Sequence, residues 1–255
     1  MKIVGYSNRL SVQPGESVQF MVSSELSTYR ADMVRLIHGD ESLGGPGFLE
    51  EELETPVNGN YPGRIQALKC GSYVKIPGFP TLNSPGSFTI QAWIYPTTPL
   101  KGLQGILTKA GQSSEVDYGL FVGTSGGLTL RIGDKCDVSV PVSLNAMQWY
   151  FVAAVYDASK GEVRLYQETE KKWPRDGSRS SVCREVDLPR IESSSNSLII
   201  SGYMTSEDNV SGYFNGKIDS PKVFDIPLSP HEIEELTRDV MSERVQESVI
   251  ASWDF

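Results

Sequence analysis

Between residues 87 and 96 the chain alternates without a break. Phe88, Ile90, Ala92 and Ile94 fall on one face, and Thr89, Gln91, Trp93 and Tyr95 on the other. A period of two over this length predicts a strand with one face in a core. The opposite face carries two aromatic rings among polar groups, which predicts a half-covered surface rather than open water. Residues 149–156 are apolar on both faces, from Trp149 and Phe151 to Val155 on one and Tyr150 to Tyr156 on the other. That pattern predicts a central strand covered on both sides. Shorter runs predict further strands at 65–68, 72–76, 105–109, 118–122, 128–132, 162–167, 197–202 and 214–224.

The first 62 residues read differently. Val18, Phe20 and Val22 alternate with polar or flexible neighbours after the turn at Pro14-Gly15, and 33–37 is a second apolar run. Two such strands resemble a hairpin, and they cannot form a core by themselves. They are expected to pack on the larger body. Residues 38–62 break the pattern. Gly44-Gly45-Pro46-Gly47 demands a loop, and Glu50, Glu51, Glu52 and Glu54 predict a solvated acidic loop. Adjacent carboxylates repel and face different ways, so a cation site there is the weaker reading. Residues 168–187 are polar and also predict a long exposed loop.

One helix is well specified. Ser229 stands at the N-cap, Pro230 at the first helical position, and Glu232 closes a capping box. Leu228 can staple to Ile233, and Leu236, Thr237 and Val240 continue the stripe. The chain ends on a last alternating run, 251–255. About ten strands, frequent turn signals and one short C-terminal helix predict an all-β fold, a two-sheet antiparallel jelly-roll sandwich. The expected division is 1–62, strands and acidic loop, and 63–255, the sandwich.

Composition narrows the function classes. The chain of 255 residues is 39% hydrophobic and 22% charged, enough for a substantial core. A net charge of −9 excludes a nucleic-acid partner, which needs a basic surface. No stretch reaches membrane-spanning length. No apolar run follows Lys2, so the reading is cytoplasmic. Cys70, Cys136 and Cys183 are odd in number and far apart, which suits reduced thiols.

Candidate nucleophilic chemistry is thin. Gly123-Thr124-Ser125-Gly126-Gly127 matches a nucleophile elbow in letters, but that motif opens a helix and a strand follows here, so a hairpin loop is favoured. His231 lies in a helix first turn, a poor place for a cation. His38 has no nucleophile beside it and reads as a local structuring residue.

The order of several pieces carries a resemblance. These are 71–77 (Gly-Ser-Tyr-Val-Lys-Ile-Pro), the strand 88–96, Trp149-Tyr150-Phe151-Val152 with Tyr156-Asp157, and Gly216-Lys217-Ile218-Asp219 before Leu228-Ser229-Pro230-His231-Glu232-Ile233. Together they resemble the LamG-like, concanavalin A-like sandwich family over 63–255, in which the last strand lies near the first. A closer resemblance covers nearly the whole chain. Gly5-Tyr6-Ser7-Asn8-Arg9, Pro14-Gly15-Glu16, Val34 to Asp40 and Gly45-Pro46-Gly47 look like the start of the N,N-dimethylformamidase large-subunit family. There a LamG-like region precedes a longer catalytic portion that hydrolyses a small amide with an iron held by two tyrosines and a glutamate. The resemblance maps none of those ligands onto a residue here, so no catalytic residue or cofactor is assigned to this chain. It implies an accessory region whose partners are the catalytic portion or other subunits.

The sandwich resemblance also suggests alternatives. One is a free-standing lectin-like module for carbohydrate or protein, with a calcium ion held by Asp208 and Asn209 beside Glu207, or by Asp219. Its glycan would meet exposed aromatics, and Trp93, Tyr95 and Trp173 qualify by type. The other is a glycosidase, for which Glu115 with Asp117, or Glu185 with Asp187, put two acids on one strand face. A third acid three residues on is missing, since Leu120 and Arg190 stand there.

Overall fold

The computed structural model describes residues 2–66, 71–78, 80, 86–110, 116–133, 136–170, 177–187, 194–206 and 209–255. It forms two compact units, Met1–Cys70 and Gly71–Phe255.

The first unit is made of six strands: β1 (Ile3–Ser7), β2 (Phe20–Ser24), β3 (Thr28–Ala31), β4 (Val34–Asp40), β5 (Gly47–Glu52) and β6 (Gly59–Pro62). They pair only two by two, β1 with β2, β3 with β6 and β4 with β5. The two predicted strands therefore do not pair with each other. The predicted acidic loop is also a strand, because β4 supplies partners that local composition does not show. Glu51 lies opposite Arg35 and Glu52 opposite Val34, with Arg35 3.5 Å from Glu51 and Arg30 3.8 Å from Glu52. Three two-stranded ribbons enclose little. Among the described residues of this unit only Ser24 is buried, while Phe20, Leu36 and Phe48 are 67%, 59% and 56% exposed.

The second unit is the sandwich. Its strands are β7 (Val74–Ile76), β8 (Phe88–Pro96), β9 (Gln104–Ala110), β10 (Val116–Val122), β11 (Leu128–Ile132), β12 (Cys136–Ser139), β13 (Tyr150–Asp157), β14 (Glu162–Thr169), β15 (Ser180–Glu185), β16 (Leu198–Ile200), β17 (Tyr203–Ser206), β18 (Asn209–Ser211), β19 (Gly216–Phe224) and β20 (Val249–Ser252). One six-stranded sheet has the order β12-β11-β10-β9-β16-β7, the other β15-β14-β13-β8-β19-β20, and β17-β18 is a separate ribbon. The inward residues of β8, Phe88, Ile90, Ala92 and Ile94, are fully buried between the sheets with Leu120, Leu130, Val152 and Leu165. β13 is buried along its whole length, as its double-apolar pattern predicts.

Several expectations shift. The end of the predicted 168–187 loop is β15, which pairs with β14. No strand forms at Ile65 and Gln66, and residues 67 and 68 lie outside the described residues. Helix α1 (Pro230–Leu236) has the full capping box at Ser229 and Glu232. It buries Ile233 and Leu236 but stops there, with Thr237 as C-cap, so Val240 leaves the stripe and is 49% exposed. A second helix, α2 (Glu243–Glu247), follows before β20. The edge strand that closes the sheet is Val249–Ser252, paired to β19, and Phe255 beyond it is 62% exposed.

Candidate functional site

The outward face of β8 carries Thr89, Gln91, Trp93 and Tyr95. Thr89 is tied into the chain: its Oγ1 donates to the Ile226 carbonyl at 2.8 Å and accepts from the Leu228 amide at 3.0 Å. These bonds anchor the segment that leads into α1. Next along, the Gln91 Nε2 donates to the Ser220 carbonyl at 2.9 Å. Trp93 meets Phe151 edge-to-face, with ring centroids 5.5 Å apart. Both belong to a second apolar cluster with Leu228, Ile233, Leu236 and Val245. Tyr95 packs against Trp149 at 5.5 Å, and Lys217 Nζ lies 5.5 Å from the Tyr95 ring centroid. The aromatic face is thus half-covered, and the cover is the chain's own C-terminal helical segment.

What α1 leaves open is two adjoining cavities. One of about 390 Å³ is lined by Trp93, Phe151 and Tyr166 together with an Arg179–Glu168 ion pair. The other, about 420 Å³, is lined by Gln91, Trp93, Asp219, Ser220 and Lys222. Both share Trp93, Thr237 and Arg238. Arg238 is held by Glu234 at 2.6 Å, one helical turn away. Trp93 therefore stands at the join of an elongated groove. Sequence reading picked out Trp93 and Asp219 separately, and the β8–β19 register sets them directly opposite one another. Gln91 and Lys222 were missed. Their signal was faint: a polar residue within an apolar-flanked strand, and a lysine one residue after a proline.

Of the calcium candidates, only Asn209 and Asp219 lie among the described residues. Asn209 is exposed on β18 of the separate ribbon, where its Nδ2 donates to Thr205 Oγ1 at 2.9 Å, while Asp219 is on β19 of the six-stranded sheet that holds β8. Asp208 and Glu207 lie outside the described residues, as do Trp173, Glu115 and Cys70. Among the described residues no three His, Cys, Asp or Glu side chains converge in a way that could hold a metal ion. His38 accepts a structuring role, with Nδ1 2.8 Å from the Gly47 carbonyl at the irregular step of the β4–β5 pair. His231 is exposed and 3.5 Å from Glu235. Gly123 to Gly127 joins two antiparallel strands, β10 and β11, so Ser125 sits in a hairpin.

A charged cluster that sequence reading overlooked lies in the other sheet. Lys109 is fully buried on β9. Its Nζ donates to Asp117 Oδ2 at 3.2 Å, to the Ser194 carbonyl at 2.7 Å and to Ser194 Oγ at 2.6 Å. Ser194 Oγ and Asn196 Nδ2 donate to the same carboxylate. Burial pushes the Lys109 pKa down, against the pull of Asp117. The hydroxyl, the ammonium and the carboxylate satisfy one another, so the cluster ties β9, β10 and the approach to β16 together.

Comparison with known proteins agrees with this architecture. The family model described as "Concanavalin A-like lectin/glucanases superfamily" matches residues 68–234. The chain belongs to this superfamily. A solved structure of a carbohydrate binding protein from Bacteroides ovatus superposes over 99% of this chain and 60% of its own with a TM-score of 0.52 and 14% identity. At that identity the likeness speaks for the fold alone. Two curated relatives extend the match beyond the sandwich. The N,N-dimethylformamidase beta subunit of Paracoccus aminophilus is 33% identical over all of this chain, and that of Alcaligenes sp. is 31% identical over 99% of it. The chain spans only 36% and 35% of their lengths.

Proposed function

We propose that this chain is the non-catalytic sandwich region of an N,N-dimethylformamidase-like amidohydrolase β subunit, and that its work is to pack against the catalytic portion or a neighbouring subunit. The observation that carries this reading is the state of the first unit. Some seventy residues related to those subunits bury no apolar side chain among those described. Ribbons of two strands are marginal in water without a surface to lie on. Their exposed leucines and phenylalanines call for cover, and an interaction region supplies a reason for them.

The test has two arms. The purified chain should release no dimethylamine from dimethylformamide. It should also co-purify with the rest of a dimethylformamidase β subunit when the two are co-expressed. Turnover by the chain alone, or failure to associate, would sink the proposal. Binding to a glycan array that disappears with EDTA, in place of association, would favour the lectin-like module instead.

A further inference from the structure

Gln91 is 3% exposed, and among the described residues its Oε1 has no hydrogen-bond partner. Its Nε2 is already committed to the Ser220 carbonyl, which fixes the amide and leaves the oxygen as a buried acceptor of a residue that lines the second cavity. Buried acceptors are rarely left unanswered. Ser220 makes that bond in the left-handed region, at φ 46, where the β8–β19 register slips between Asp219 and Lys222. A non-glycine residue takes that conformation at a cost, and such outliers and bulges gather beside binding sites.

The same register fixes the neighbours. Opposed residues of an antiparallel pair share a face, so Lys222 stands beside Gln91 and Asp219 beside Trp93. The groove floor therefore presents an acceptor next to a cation and, two residues on, an indole next to an anion. Carboxylates outnumber basic groups along the groove, and Arg179 and Arg238 are already engaged by Glu168 and Glu234.

An extended polypeptide matches this array. In a strand, the N–H and C=O of one residue point the same way. One residue can therefore donate to Gln91 Oε1 and accept from Lys222, while a neighbouring basic side chain lays its stem on Trp93 and its charge at Asp219. We propose that this groove docks an extended peptide segment with a lysine or arginine at the Trp93–Asp219 position. Its source is the part of a dimethylformamidase-type β subunit outside the span matched here, which is most of that subunit. The proposal rests on the accessory-region reading and names the surface that reading would use.

The test uses the whole chain and overlapping synthetic peptides covering the unmatched part of the Paracoccus aminophilus β subunit, with binding followed by fluorescence anisotropy. At least one basic peptide should bind. Gln91→Leu and Asp219→Asn should each weaken it by about tenfold or more, the effect of one charge-assisted or buried hydrogen bond. The melting temperature serves as a folding control. Should Gln91→Leu disturb folding, Lys222→Ala at a partly exposed position gives the same reading. No binding by any peptide overturns the proposal, as does binding indifferent to these substitutions. So does an oligosaccharide that occupies the groove and is lost with Trp93→Ala. If the intact remainder of the subunit is captured while no peptide binds, the groove falls and the accessory reading stands. If neither is captured, both fall.

Discussion

Lys109 shows what a single residue can demand of its surroundings. Its ammonium is removed from water in the middle of a sheet and is met by one carboxylate, one carbonyl and one hydroxyl. Removing the carboxylate should therefore hurt more than removing the charge itself. Asp117→Ala strands a buried cation and should cost about 3 kcal/mol or more. Lys109→Met keeps the stem and should cost clearly less. Urea unfolding midpoints of the two variants would show the order, and equal or reversed costs would contradict it. The anomaly was legible in the sequence as a lysine inside the apolar run Ile106-Leu107-Thr108-Lys109-Ala110. Its answer was not, because Ser194 lies 85 residues away. The groove behaves alike. Trp93 and Asp219 could each be suspected from type, but only strand register makes them neighbours.

At the scale of the element, α1 was the most readable part of the chain because its determinants lie within a few consecutive residues. Burial raises the Glu232 pKa, but bonds from Ser229 and the nearby Arg244 outweigh it and hold the carboxyl below its ordinary value of 4.5. A carboxylate whose folded value is depressed stabilises the fold above its ordinary value and loses that contribution as pH falls through the depressed one. The melting temperature of the wild type should fall on acidification below about 4.5, and Glu232→Gln should flatten that part of the dependence. Ser229→Ala should cost about 1 kcal/mol by loss of the cap. An Ser229→Ala variant as stable as the parent would mean that burial of Ile233 and Leu236 alone holds the helix. β5 and β15 were unreadable for the opposite reason. Neither has an apolar period of its own, and each exists because a partner strand already offers hydrogen bonds and, for β5, an arginine, Arg35, to its glutamates.

At the scale of the whole molecule, the two units differ in what holds them. The sandwich encloses a continuous apolar core, whereas the first unit encloses almost nothing. Residues 71–255 expressed alone should give a cooperative thermal transition with β-type circular dichroism. Residues 1–70 alone should show none. A cooperative transition from the short piece would mean that its ribbons find a core among themselves. The sandwich was legible because each of its central strands carries its own period. The first unit was only partly so, because exposed pairs of strands impose no period to read.

The position of β8 carries a consequence for how the chain is made. Its outer edge is fastened to residues that come far later, Thr89 to Ile226 across 137 positions. At ordinary rates of synthesis, a strand of Phe, Ile and Trp must wait on the order of ten seconds for its neighbour β19 to leave the ribosome. During that time it shows the cell an unpaired apolar edge, the kind of surface that chaperones hold and that nascent chains share with one another. A chain stopped before Gly216 should therefore accumulate in the insoluble fraction, while one ending at Phe255 remains in solution. Fractionating cells that make the two lengths would tell them apart.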